Sequence, residues 1–247
     1  MTDTARTHEQ LSIQVFADGA DIEGLRLLAE NPLISGFTTN PTLMRKAGIE
    51  DYKRFAHDAL AVIGERPISF EVFSDDPAEM VAQGREIATW GTNVYVKVPI
   101  STTTGVSTSD VVRKLSHDGV QVNVTALMTL AQVEETTAAL QGGAPSNISV
   151  FAGRIADTGR DPIPLMQESL SIMRAAPSTS LIWASPREVL NIIQADEIGC
   201  HIITVTYDLL AKLSGLAKPL DQFSLETVQM FHRDAAAAGF AIDVSGG

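Results

Sequence analysis

"YVKVPI", residues 95–100, sets Lys97 in the middle of a run otherwise suited to a buried strand. An ammonium group is costly to take out of water, so an enclosed lysine must pair with an anion or give up its proton. A free amine is a nucleophile toward carbonyls: it adds to a ketone as a carbinolamine and loses water to give an iminium, which draws electrons from the neighbouring C–C bond. That bond can then break or form. Every stage moves protons, and Asp18 in "SIQVFAD", Glu71 in "ISFEVF" and Thr125 in "VQVNVTAL" are the groups placed to move them. Asn40 and Asn123 are placed to orient substrate hydroxyls or the amine itself. Two other readings stand beside this one. Lys97 and Glu71 can form a structural buried ion pair. Asp18 and Glu71 can hold a metal, although no histidine is near either in sequence and the lysine would compete with the cation.

Arg154, ending "SVFAGR", and Arg187, just after "WAS", form a second set. The chain has 18 Lys and Arg against 30 Asp and Glu, a net charge of −12, which argues against a nucleic-acid partner. A small anion needs only a few cations in one place. Two arginines at the exits of adjacent strands, with Ser185 and the amides of a helix expected to open at Pro186, make a phosphate site. Taken singly, each arginine reads as a rim salt bridge. The histidines at 8, 57, 117, 201 and 232 fall at termini, on helix faces or at a strand start and take no role. Trp90 and Trp183 read as packing, with Trp183 on the same face as Ser185 and so able to line the site.

These residues must be positioned by an alternation that runs from residue 12 onward. Eight strand-like segments, "SIQVFAD", "ISGFTTN", "ISFEVF", "VYVKVPI", "VQVNVTAL", "NISVFAGRI", "SLIWAS" and "HIITVTY", are separated by helix-like ones such as "DYKRFAHDALAVI" and "PAEMVAQGREIATW". Eight strands with helices between them, in 247 residues, predict a single (β/α)8 barrel over 1–247; a doubly wound open sheet is the rival. Asp21, Asp76, Ser109 and Ser185 are expected N-caps, Pro77 and Pro186 first helical residues, and Gly119 and Gly199 C-terminal stops. A further helix is expected at 223–239, with Leu225, Val228, Met230, Phe231 and Ala235 packing on the barrel or on a neighbouring subunit. Residues 1–10 and the final "SGG" read as frayed ends.

Strand periodicity sorts the side chains. Val94, Val96 and Val98 face the helices, which turns Tyr95, Lys97 and Pro99 into the barrel. The same alternation turns Asn123 and Thr125 inward, Ser149 with Phe151, Phe16 with Asp18, and Ser69 with Glu71 and Phe73. The polar members lie near the C-terminal strand ends, where barrel active sites form. Cys200 is the only cysteine, so no disulfide forms within the chain, and it reads as a buried thiol. No apolar stretch is long enough to span a membrane and the N-terminus lacks a signal-peptide core, so a cytoplasmic protein is expected.

The motifs "FAD", "GFTTNPTLM", "FEVF", "YVKVPI", "NVTALM", "SVFAGRI" and "WASPRE", in this order from about Phe16 to Tyr207, resemble those of transaldolases, Schiff-base enzymes on a (β/α)8 barrel. The resemblance implies Lys97 as the Schiff-base nucleophile, Asp18 as acid and base in C–C cleavage, and Glu71 with Thr125 positioning a proton-shuttling water. It also implies Thr38, Asn40, Asn123, Ser149 and Phe151 as substrate contacts, and Arg154, Ser185 and Arg187 as holders of the phosphate. No cofactor or metal is implied. The substrates would be sugar phosphates, with a dihydroxyacetone unit moved between them, and the assembly a homo-oligomer, a pentamer or decamer formed through the last helix. The nearest group, the fructose-6-phosphate aldolases, tends to have glutamine at the position of Glu71 and tyrosine at that of Phe151, and here both resemble a transaldolase. An aldolase, a transaldolase acting on another sugar, and a catalytically silent sugar-phosphate-binding barrel are the alternatives.

Overall fold

Eight parallel strands close on themselves in chain order, β8 pairing back onto β1. They are β1 (Gln14–Asp18), β2 (Ile34–Thr38), β3 (Ile68–Glu71), β4 (Val94–Pro99), β5 (Val122–Leu127), β6 (Ser146–Val150), β7 (Thr179–Trp183) and β8 (Ile202–Thr206). This computed structural model describes residues 10–243; residues 1–9 and the final "SGG", expected to be frayed, lie outside the described residues. The helices are α1 (Ile22–Ala29), α2 (Pro41–Lys46), α3 (Tyr52–Ile63), α4 (Pro77–Ala88), α5 (Ser109–His117), α6 (Leu130–Leu140), α7 (Ala152–Ala156), α8 (Ile163–Met173), α9 (Leu190–Glu197), α10 (Tyr207–Ala211) and α11 (Leu220–Ala237). The (β/α)8 barrel expected from the alternation is the architecture found.

A parallel barrel has two places for apolar side chains, and the strands fill both. The β-branched outward positions, among them Val94, Val96, Val98, Val122, Val124 and Ile148, are buried against the helices in the large core. The inner core is small: Phe16, Ile182, Ala184 and Ile202, with Phe151 against them. Gly36 belongs to it by subtraction. It pairs in register with Phe16, and a Cβ there would stand 2.6 Å from the Phe16 ring, so only glycine on β2 admits the phenyl group.

Helix starts follow local chemistry. Asp21 and Asp76 accept the backbone N–H groups of Gly24 and Glu79, and Thr129 with Gln132 makes a reciprocal capping box on α6. Four expectations are corrected. Thr108, not Ser109, is the N-cap of α5. No helix opens at Pro186: α9 starts at Leu190, because Ser185 sits at φ 60° and the Asn191 side chain takes the N–H groups of Arg187 and Glu188. β3 stops at Glu71, so Phe73 leaves the barrel, half exposed, and lies 4.6 Å from the Tyr52 ring. Trp183 faces outward into the helix layer, since Ile182 on β7 and Ala184 just after it belong to the inner cluster.

The last helix runs Leu220–Ala237, and none of its residues is buried. Leu225, Val228, Met230 and Phe231 are 42–63% exposed, so the expected packing on the chain's own barrel is not found.

Candidate active site

Each residue of "TTNP" at the end of β2 has a separate task. Thr38 Oγ1 donates to Asp18 Oδ1 at 2.7 Å. Thr39 donates its hydroxyl to Ser69 O on β3, while its own carbonyl accepts from Lys97 Nζ at 2.9 Å. Asn40 caps α2 by accepting from Leu43 N with Oδ1, which turns its Nδ2 to Asp18 Oδ2 at 3.2 Å. Pro41 then opens α2 at the first position, where a missing N–H loses nothing.

The geometry follows from a split in the barrel wall. β2 and β3 pair only at Phe37 with Ile68 and Thr38 with Ser69. Beyond that point β2 turns into α2 and leaves backbone groups without a strand partner, which must find other bonds if buried. Lys97 takes the Thr39 carbonyl from inside. The Tyr52 hydroxyl of α3 takes both groups of Glu71, donating to its carbonyl at 3.0 Å and accepting from its N–H at 2.7 Å. Lys97 Nζ stands 3.6 Å from Glu71 Oε2, and Lys97 is 7% exposed. Burial pushes the Asp18 and Glu71 carboxyls above the usual carboxylate range, more strongly than the nearby Lys97 charge pulls them down.

These groups line a cavity of about 410 Å³ at the C-terminal strand ends. Of the sequence-predicted set, Asp18, Thr38, Asn40, Glu71, Lys97, Thr125, Ser149, Phe151, Arg154, Ser185 and Arg187 all reach it. Asn123 does not line it. Fully buried, it donates to Ser69 Oγ at 2.9 Å and accepts from Ser149 Oγ at 2.7 Å, and so bridges the cavity floor from beneath. Thr125 contributes a hydroxyl with no hydrogen-bond partner among the described residues. Just after it Ala126, at φ 68°, breaks the β5 register with β6.

The cationic rim is built where β6 and β7 end. Arg154 lies on α7 with its guanidinium carbon 5.8 Å from the Phe151 ring centre. Arg187 lies in the loop before α9, gripped by both carboxylate oxygens of Asp157. Gly153 lets these segments meet: a Cβ would fall 1.5 Å from the Ser185 carbonyl oxygen.

The sequence profile of the Transaldolase/Fructose-6-phosphate aldolase family matches residues 15–244. The chain belongs to that family. Among its relatives, a probable transaldolase of Dehalococcoides mccartyi is 38% identical over 202 residues, covering 81% of this chain and 90% of that protein. One of Roseiflexus castenholzii is 36% identical over 215 residues, covering 87% and 94%. A third, of a Thermoanaerobacter species, is 32% identical over 231 residues, covering 93% and all of that protein. Solved structures similar in fold include 2,3-dimethylmalate lyase, with a TM-score of 0.57 and 14% identity over 98% of this chain and 96% of that one. An HpcH/HpaI aldolase/citrate lyase family protein of Burkholderia cenocepacia has a TM-score of 0.56 and 13% identity, covering 88% and 95%. At such identities the likeness is one of fold alone.

Sequence reasoning missed several residues of this transaldolase/aldolase-family site. Thr204 and Thr206 of β8 line the cavity, and the alternation of "ITVT" carried the signal. Tyr52 carried none, because its contact with Glu71 depends on where α3 lies against β3.

Proposed function

We propose that this protein is a transaldolase that moves a dihydroxyacetone unit from fructose 6-phosphate or sedoheptulose 7-phosphate to an aldose phosphate through a Schiff base on Lys97. The observation that carries the reading is the Lys97 side chain, enclosed at a strand end beside two carboxyls in a cavity rimmed by two arginines. The lysine amine adds to the donor ketone, and loss of water gives an iminium. Asp18 takes the proton of the C4 hydroxyl, the C3–C4 bond breaks with its electrons passing to the iminium, and an aldehyde phosphate leaves. The remaining enamine adds to an acceptor aldehyde, and Asp18 returns the proton to the new hydroxyl.

Glu71 and Thr125 hold the water that carries protons to and from the carbinolamine. Two features support this: Glu71 is within reach of Lys97, and the Thr125 hydroxyl lacks a partner among the described residues. Thr38, Asn40 and Ser149 hold the dihydroxyacetone part, while Asn123 acts through Ser149. Arg154, Ser185 and Arg187 hold the phosphate. Phe151 places an apolar ring where a phenol would be a proton donor to the waiting enamine, which favours transfer over release. The setting is the pentose phosphate pathway in the cytoplasm; among the described residues no helix is long and apolar enough to cross a membrane. The exposed apolar positions of α11 support a homo-oligomer built through that helix.

The test is glyceraldehyde 3-phosphate release from fructose 6-phosphate, with and without erythrose 4-phosphate, followed by borohydride reduction and peptide mass mapping. Release beyond one equivalent of enzyme only when the acceptor is present, with a three-carbon adduct on Lys97, is expected. Equal release without acceptor would make the protein an aldolase, and an adduct at another lysine would overturn the assignment of the nucleophile.

A further inference from the structure

Thr204 on β8 is 7% exposed, and its hydroxyl lies 2.5 Å from that of Thr38, which in turn is 2.7 Å from Asp18 Oδ1. A hydroxyl has one hydrogen to give. While Asp18 is ionised, Thr38 must give its hydrogen to the carboxylate, so the short contact with Thr204 is made by the Thr204 hydrogen. The chain then runs from Thr204 to Thr38 to Asp18, each bond polarising the next. Asn40 donates to the other oxygen, Oδ2, and keeps it an acceptor. A proton taken up by Asp18 therefore belongs on Oδ1. Once there it faces the Thr38 oxygen, and the chain must reverse: Asp18 donates to Thr38, Thr38 to Thr204, and the Thr204 hydrogen turns into the cavity that this residue lines. Two hydroxyl rotations accomplish this with no heavy atom moving.

We propose that Thr204 is a positioning residue for Asp18, whose hydroxyl reverses with that of Thr38 so that the carboxyl is hydrogen-bonded both as base and as acid. The proposal rests on the role given to Asp18 above. In cleavage the C4 hydroxyl proton passes to Asp18 while the C3–C4 electron pair passes to the iminium. In addition the same proton returns to the new hydroxyl as the enamine forms a bond to the acceptor. Between the two steps Asp18 must store that proton, and the reversed chain is what holds it.

Asp18 is faced inside the barrel by Lys97 and Glu71, and Arg154 and Arg187 line the same cavity. The groove on its other side carries Asp21, the N-cap of α1, Glu23 of α1, Lys46 of α2, and Tyr207 and Asp208 of α10. Changes at Thr204 leave all of these in place. The test therefore compares wild type, Thr204→Val and Thr204→Ser by single-turnover release of glyceraldehyde 3-phosphate across pH and by borohydride trapping with fructose 6-phosphate. Thr204→Val should slow release roughly tenfold, a part of the 10²–10⁴ that a placed acid–base group supplies. Its acid limb should move to higher pH, because the charge-assisted chain to the carboxylate is weakened. The adduct trapped on Lys97 should change from three carbons to six, and Thr204→Ser should restore all three readouts. If Thr204→Val does not fold, Thr204→Ala removes the same hydroxyl and is read in the same way. A three-carbon adduct with unchanged release and pH profile, or serine behaving like valine, would overturn the proposal. If wild type forms no adduct of either size, the reading of Asp18 and Lys97 falls, and this proposal with it.

Discussion

A carboxyl placed for chemistry is badly placed for stability, and Asp18 shows the conflict. Its burial outweighs the help of Lys97, Thr38 and Asn40, so its folded-state proton affinity is raised. The sign for stability follows by linkage. A carboxyl raised in the folded state imposes no penalty at pH values where it is protonated both folded and unfolded, and destabilises the fold progressively as pH rises through the folded value. Asp18→Asn removes that penalty while leaving an amide able to meet Thr38. The variant should melt roughly 2–4 °C higher than wild type near pH 8, the shift expected of about 1 kcal/mol in a chain of this size. The difference should vanish in acid, and donor cleavage should be abolished. Calorimetry at several pH values checks the first part, and a lower Tm near pH 8 would mean that the Asp18 carboxylate is a net stabiliser through the Lys97 charge and its bonds from Thr38 and Asn40 together. At this scale much was legible. Asp18, Glu71, Lys97 and Thr125 stand out because each is a polar residue directly after an apolar one on a strand buried on both faces. Asn123 obeys the same alternation yet lies below the cavity floor, because periodicity gives the face of a strand and not the depth along it.

Among the elements, the loop from β7 to α9 and the start of α7 decide where the arginines stand. They meet at Gly153, where any side chain would run into the Ser185 carbonyl. Backbone cannot yield as a flexible side chain can, so Gly153→Ala should displace Ser185 and Arg187 together. The expected outcome is a KM for fructose 6-phosphate raised tenfold or more, of order 1.4 kcal/mol in binding. The KM for unphosphorylated dihydroxyacetone should change far less, and circular dichroism should be unaltered. Equal losses on both substrates would separate this contact from phosphate binding. The glycine of "GRI" was visible in the sequence, but its reason was not: the atom it avoids is 32 residues away along the chain. The same holds for the start of α9, where Ser185 and Pro186 have the local signature of a helix N-terminus. A side chain from inside the helix, Asn191, takes the amides that such a start would have offered to an anion.

For the molecule as a whole, α11 leaves Leu220, Phe223, Leu225, Val228 and Phe231 more than half exposed, and apolar patches of this kind mark interaction surfaces. With the oligomer proposed above, light scattering coupled to size exclusion should give a multiple of 26.4 kDa for wild type and a single-chain mass after truncation following Leu216. A monomeric wild type, or a truncated chain of unchanged assembly, would exclude α11 as the contact. At net charge −12 the chain as a whole repels an anionic substrate, so local cations such as Arg154 must draw it in.

The sequence by itself determined the barrel, because strand and helix periods depend on each residue and its near neighbours, and it determined which faces of the strands turn inward. It also marked the lysine, since one ammonium in a valine-rich strand is conspicuous without coordinates. Only the tertiary structure decided that β2 leaves β3 early, so that the Thr39 carbonyl is free to receive Lys97 and a tyrosine from α3 takes the place of a strand at Glu71. It alone brought Thr204, 166 residues from Thr38 in the chain, to within 2.5 Å of its hydroxyl. These are consequences of closing a ring of strands, which sets distances between groups remote in sequence through register and tilt that no local pattern encodes.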